Sequence, residues 1–149
     1  MDEILVNDLK CGKAIAKLAG TDYNPEVNVN FCRVRDGLRL GGVIFSGYTR
    51  ESIGIHSGAW RPRWINRDML WMTFDYPFNQ LGVKRIFGQV PADNHHAIEF
   101  NEKLGFQTVA IIEGVFPNNV ACLVMRMERD ECRMLSVQPR NMVTGKIAH

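Results

Sequence analysis

Asp93-Asn94-His95-His96-Ala97-Ile98-Glu99-Phe100-Asn101-Glu102-Lys103-Leu104-Gly105-Phe106 is the stretch that decides the fold of this 149-residue chain. Ala97, Phe100 and Leu104 recur at helical spacing, so a short helix over residues 95–104 turns one apolar face inward. Asn94 stands where a side-chain oxygen accepts from the first free backbone N–H groups of a helix. Gly105 ends the helix, because glycine enters the left-handed turn that closes a C-terminus without steric cost. Just upstream, residues 84–90 read as a strand, followed by Pro91-Ala92-Asp93.

Further upstream, residues 67–81 place Leu70, Phe74, Phe78 and Leu81 on one face of a second helix. Asn66 is its expected N-cap, and Asp68 suits the positive end of its dipole. Pro77 removes a backbone donor and crowds the preceding turn, which predicts a kink or an early end near Tyr76. Between residues 27 and 57 the period falls to two. Val27, Val29 and Phe31, with Arg33 next in the alternation, predict one strand. Residues 38–45 and 52–57 predict two more. Arg35-Asp36-Gly37 and the segment from Ser46-Gly47 to Arg50 supply the turns of an antiparallel meander. Near the N-terminus, Leu5, Leu9, Ile15 and Leu18 predict a helix that Gly12 weakens and Gly20 ends. After Phe106, residues 108–112 and 121–127 read as two strands separated by Pro117-Asn118-Asn119. The order is helix, three strands, helix, strand, helix, two strands, which makes one α+β domain over residues 1–130. Residues 131–149 show no periodicity and read as a C-terminal tail, either flexible or docked on a partner.

Composition narrows the class. The chain is 46% hydrophobic and 23% charged, ordinary for a soluble globular domain. No apolar run approaches the roughly 20 residues of a membrane-spanning helix. Met1-Asp2-Glu3 opens acidic, which argues against a secretory signal. Net charge is +2, without the basic excess of a dedicated nucleic-acid binder. Arg61, Arg63 and Arg67 with Trp60 and Trp64 form a local cluster suited to phosphates or bases, or simply a solvated loop. Cys11, Cys32, Cys122 and Cys132 are scattered, so neither metal-ligand spacing nor a disulfide framework is indicated. Cys32 and Cys122 fall in strand-like runs, where a thiol behaves as a small core residue. A reduced, cytoplasmic setting is expected.

The pattern Asn94-x-x-Ala97-x-x-x-Asn101-x-Lys103-Leu104-Gly105-Phe106, preceded by the helix–strand unit Leu81-Gly82-Val83-Lys84-Arg85-Ile86, resembles the signature of the GNAT superfamily of N-acetyltransferases. The resemblance runs through residues 27–127 and is strongest over 70–106. Phe74-Asp75-Tyr76-Pro77-Phe78 and Asp130-Glu131-Cys132-Arg133 resemble small acetyltransferase-like proteins encoded by tailed phages, which would place the chain in a host cytoplasm. The resemblance implies a mixed, mostly antiparallel sheet with flanking helices. Its one parallel pair, residues 52–57 and 84–90, would splay into a wedge that takes the pantetheine arm of acetyl-CoA as a substitute strand. It also implies that Asn94 holds this arm, beside its capping role, and that a backbone amide near Ile55 or Ser57 faces the developing oxyanion.

Two departures from the family pattern are visible. Ile65 and Arg67 stand where the family carries the glycines whose amides close around the pyrophosphate. The side chains of Arg61, Arg63 and Arg67, with Asn66, are the expected substitutes. Asn101 stands where many members have a tyrosine acid. For the general base, His56 is the candidate, with a reference pKa near 6.5 suited to neutral-pH proton transfer. The alternative is a strand histidine bonded to a neighbour. Glu51 is a weaker option, and His95 and His96 lack the spacing of a metal pair on a helix. The expected activity is acetyl-CoA-dependent transfer to a primary amine of a protein or small molecule. The alternative is a degenerate GNAT-fold binding or structural module, phage-associated, with a protein partner; a homodimer stays open.

Overall fold

The computed structural model describes residues 1–137, 139 and 140. Its elements are β1 (Asp2–Val6), α1 (Leu9–Ala19), β2 (Val29–Arg35), β3 (Leu38–Ser46), β4 (Ser52–Ala59), α2 (Arg67–Asp75), β5 (Arg85–Pro91), α3 (His95–Leu104), β6 (Gln107–Phe116) and β7 (Val120–Glu128). The strands form one sheet in the order β1-β2-β3-β4-β5-β7-β6. β4 and β5 run parallel and every other neighbouring pair is antiparallel. The α+β reading of the sequence, with its three helices and its single parallel pair, is the fold observed.

One expected element divides in two. The helix expected from Leu5 onward is a strand followed by a helix: Ile4 and Leu5 pair with Arg33 and Cys32 of β2. Asn7 then turns the chain through a positive φ of 57°, and Asp8 caps α1 by accepting from the Cys11 N–H at 2.8 Å. Pairing with β2 satisfies a full row of backbone groups, and that outweighs a helical spacing as imperfect as the one here.

The sheet has a core on each face. On one side, Cys11, Ile15 and Ala16 of α1 lie on Cys32, Val34 and Ile44. On the other, Met69, Met72 and Phe74 of α2 join Phe31, Phe45, Ile53, Ile86 and Met125. α1 comes close because β3 and β4 place two glycines opposite each other, Gly42 and Gly58. A Cβ on Gly42 would stand 2.4 Å from Ile15 Cδ1 and 2.5 Å from the Phe31 carbonyl oxygen. The carbonyl belongs to the β2–β3 ladder and cannot retreat. Gly42→Ala is therefore expected to cost about 1–3 kcal/mol in denaturant unfolding, the range of core overpacking. A loss below about half a kcal/mol would show that α1 does not rest on the glycine pair.

α2 stops where the proline demands. Its last residue is Asp75, and the chain continues as a wide π turn over Tyr76–Gln80 in which Leu81 N–H reaches the Tyr76 carbonyl. The turn absorbs the missing Pro77 donor and still buries Tyr76, Pro77 and Phe78. Tyr76 anchors it through edge contacts with Phe31 and Phe45, at centroid distances of 5.5 and 5.3 Å. Arg129 donates to the Phe78 carbonyl, a backbone acceptor of the widened turn, and to the Asn79 side-chain Oδ1.

Beyond β7, two short 3₁₀ turns, Arg129–Glu131 and Arg133–Ser136, lead back across α2. Cys132, Met134, Leu135 and Val137 pack against the larger core, and the Arg140 N–H donates to Asp68 Oδ1 at 2.5 Å. Residues 138 and 141–149 of the C-terminal tail lie outside the described residues. Among the described residues no helix is long and apolar enough to cross a membrane.

Candidate functional site

The site begins where two strands part. β4 and β5 pair over four positions, from Ser52 with Arg85 to Ile55 with Gly88. Beyond that point β4 stays with β3 (Ser57 opposite Val43) and β5 stays with β7 (Val90 opposite Leu123). The right-handed twist of the sheet carries the two ends apart. Backbone direction follows from alternation along a strand. The Trp60 N–H donates to the Leu40 carbonyl at 2.9 Å, so even-numbered positions of β4 face β3, and Ser57 and Ala59 turn their amides and carbonyls to the gap. On β5, the Ala92 N–H donates to the Ala121 carbonyl at 2.8 Å, which turns Gln89 toward the gap.

The gap opens into a cavity of about 200 Å³ that joins the two faces of the sheet. His56 sits on the α1 side, opposite Ile44, and meets Leu18 and Ala19 from the end of α1. Ile55 and Ser57 sit on the α2 side, opposite Phe45 and Val43, and meet Trp64, Ile65 and Phe74. Trp64 lies flat on β3 because Gly41 beneath it has no side chain: a Cβ there would be 2.6 Å from the indole. α3 closes the end with Asn94, Ala97, Phe100 and Asn101.

Burial lowers the pKa of His56 below its ordinary 6.5, because the cavity strips water from the imidazolium. Among the described residues no hydrogen bond orients its ring. Asn94 caps α3, accepting from the Ala97 N–H at 3.2 Å, while its own N–H donates to the Pro91 carbonyl. It lines the cavity from that position, so capping and cavity contact coexist. Asn101 is fixed more loosely, with Nδ2 3.7 Å from Met125 Sδ.

The expected phosphate-side residues stand outside this lining. Asn66 accepts from the Met69 N–H at 2.8 Å as the cap of α2. Arg67 is the first residue of α2, and Arg63 holds a positive φ of 58°. Arg61 lies in a separate shallow depression with Leu38, Arg39 and Trp60, where the Arg39 guanidinium stacks over the indole. One residue the sequence left ambiguous proves to place this loop. Arg33 is buried, pairs with Asp2 through two hydrogen bonds of 3.0 and 2.7 Å, and donates to the carbonyls of Arg63 and Trp64 at 3.0 Å each. An arginine inside an apolar strand was its only signal. Of the cavity-lining residues, Trp64 reads in the sequence only as part of the Arg/Trp cluster, and Gln89 and Phe100 had no signal beyond their place in a strand or helix.

No family model matches the sequence, and no curated protein matches it. Solved structures do match. Ard1 from Thermoplasma volcanium superposes with a TM-score of 0.67 at 19% identity, over 85% of this chain and 97% of that one. The ribosomal-protein-S18-alanine N-acetyltransferase from Escherichia coli gives 0.63 at 17% identity, over 97% and 100%. Mutant forms of the spermidine/spermine N-acetyltransferase SpeG from Vibrio cholerae give 0.69 at 15% identity, over 87% and 96%.

The chain has the GNAT fold.

Within the GNAT fold the parting of β4 and β5 is the wedge expected from the sequence, and α3 carries the Asn94–Phe106 pattern along its edge. The position of the first missing glycine is instructive. Ile65 is partly buried, packs on the larger core and lines the cavity. Asp68, whose carboxylate is buried two positions into α2, receives the Arg140 N–H.

Proposed function

We propose that this chain is an acetyl-CoA-dependent N-acetyltransferase acting on a primary amine. The observation that carries the reading is the early end of the β4–β5 ladder, which turns backbone edges of both strands toward one cavity. That cavity fits a thioester's arm: a polar strand edge on either side, apolar walls, and Asn94 at the end that α3 closes. Acetyl-CoA, when bound, supplies an activated acyl group. Ser57 N–H, facing the gap, is placed to donate to an acyl oxygen. His56, neutral at physiological pH because of its burial, takes the proton from the attacking amine. The exposed ends of Arg63 and Arg67 supply charge to the phosphates in place of glycine amides.

Calorimetric titration with acetyl-CoA tests the reading. A micromolar Kd is expected, weakened about tenfold by Arg67→Ala, in line with loss of one charge-assisted hydrogen bond. Heat indistinguishable from dilution at millimolar acetyl-CoA would remove the enzyme reading. A second reading, a GNAT-fold binding module without catalysis, draws on the start of α2, where Ile65 replaces a glycine and Asp68 places a carboxylate near the phosphate position. That outcome of the titration would select it.

A further inference from the structure

We propose that the acceptor is the α-amine at the N-terminus of a peptide with an uncharged first residue, in preference to a lysine side chain or a polyamine. The inference rests on the acetyltransferase reading above and concerns what enters the cavity from the α1 side. Among the described residues that line the cavity, His56 is the only one with an ionisable side chain. Leu18 and Ala19 flank it, and no aspartate or glutamate joins them. A polyamine carries further ammonium groups, and burying a cation without a carboxylate or a set of acceptors is strongly unfavourable.

Amine acidity leads to the same class. A peptide α-amine has a reference pKa of about 7.7–8.0 and a lysine about 10.4, so at pH 7 about one α-amine in ten is neutral against about one lysine in 2,500. An enzyme that must acetylate a lysine or a polyamine gains by placing a carboxylate near its base, which raises the base's pKa and draws the ammonium in. His56 has no such partner in the cavity, and burial weakens it further as a base. The site is built for an amine that arrives largely deprotonated. The apolar side chains of Leu18 and Ala19 on the α1 side then favour an uncharged residue behind that amine.

The test offers the full chain acetyl-CoA and three acceptors. One is a short lysine-free peptide with a free N-terminal alanine. The second is the same peptide blocked at its N-terminus and carrying one lysine, and the third is spermidine. Release of the CoA thiol and product mass are followed. At pH 7 the free peptide is expected to exceed the blocked lysine peptide in kcat/KM by about 100-fold or more, following the neutral fractions, and spermidine by more than about tenfold, because its remaining ammonium groups meet no carboxylate in the cavity. The advantage over lysine is expected to narrow about tenfold by pH 9, as the lysine continues to deprotonate and the α-amine does not. Spermidine or the blocked peptide within about tenfold of the free peptide at pH 7, or a ratio that does not move with pH, would overturn the inference. Leu18→Glu, at a position 47% exposed, adds the missing carboxylate. It should raise spermidine turnover relative to the peptide, and an unchanged preference counts against the argument. Acetyl-CoA binding with no acceptor modified would sink the acceptor class alone. Absence of acetyl-CoA binding would sink the underlying reading and the inference with it.

Discussion

His56→Ala is expected to lower kcat by about 10² to 10⁴, the usual contribution of a positioned general base, while acetyl-CoA affinity stays close to that of the parent. The split arises because His56 stands on the α1 face of β4, whereas the strand edges proposed to hold the cofactor arm belong to Ser57 and Gln89. The pH profile gives a second readout. Desolvation holds the imidazole pKa below 6.5, so the parent loses activity as pH falls through a value under 6.5 and gains nothing from His56 above it. In the alanine variant this acid limb is expected to disappear and only the acceptor's own ionisation to remain. A variant with full kcat, or one that keeps the acid limb, would take the base role away from His56.

Arg33→Met should unfold more easily by about 3 kcal/mol, with Tm lower by about 10 °C for a chain of this size. The side chain is only 6% exposed and holds three partners together: the Asp2 carboxylate and the carbonyls of Arg63 and Trp64. Methionine fills the volume but strands the Asp2 carboxylate and leaves the partly buried carbonyls of Arg63 and Trp64 without their donor. Acid titration separates the ion pair from the carbonyl clamp. Hydrogen bonds from Arg33 hold the Asp2 pKa down at about 2 against an ordinary 3.8. A depressed carboxylate stabilises the fold fully above 3.8, and its contribution is lost as pH falls toward 2. The parent is therefore expected to weaken across that window, with Asp2→Asn flattening the curve. If Arg33→Met matches the parent in urea, the guanidinium does not hold the loop.

The fold was legible because its decisive residues act locally. Asn94 caps, Gly105 turns and Ala97, Phe100 and Leu104 repeat within a single helix, so their pattern survives without knowledge of tertiary partners. Pro77 likewise announced the end of α2, though not the π turn that follows, which depends on Phe31 and Phe45 receiving Tyr76. β1 escaped because its pairing with β2 lies across a helix and a loop, and nothing within Ile4-Leu5-Val6 reports it. The candidate site divides in the same way. Ile55, His56, Ser57, Asn94 and Asn101 lie on elements whose register the sequence fixes, and they meet around one cavity. Arg61, Arg63, Asn66 and Arg67 lie on an irregular loop whose path is set by Arg33, a strand away, and spacing alone cannot place them.

The position of β7 between β5 and β6 has a consequence for biosynthesis. β7 is translated after β6, yet it completes the interior of the sheet, bonding to β5 on one side and β6 on the other. A nascent chain that has reached α3 can assemble the meander and the β4–β5 pair, but the outer edge of β5 then has no strand beside it. The wall of the gap formed by Gln89 and Val90 is thus free to move until the later strand arrives. The cavity takes a defined shape only once residues 120–128 have paired with β5.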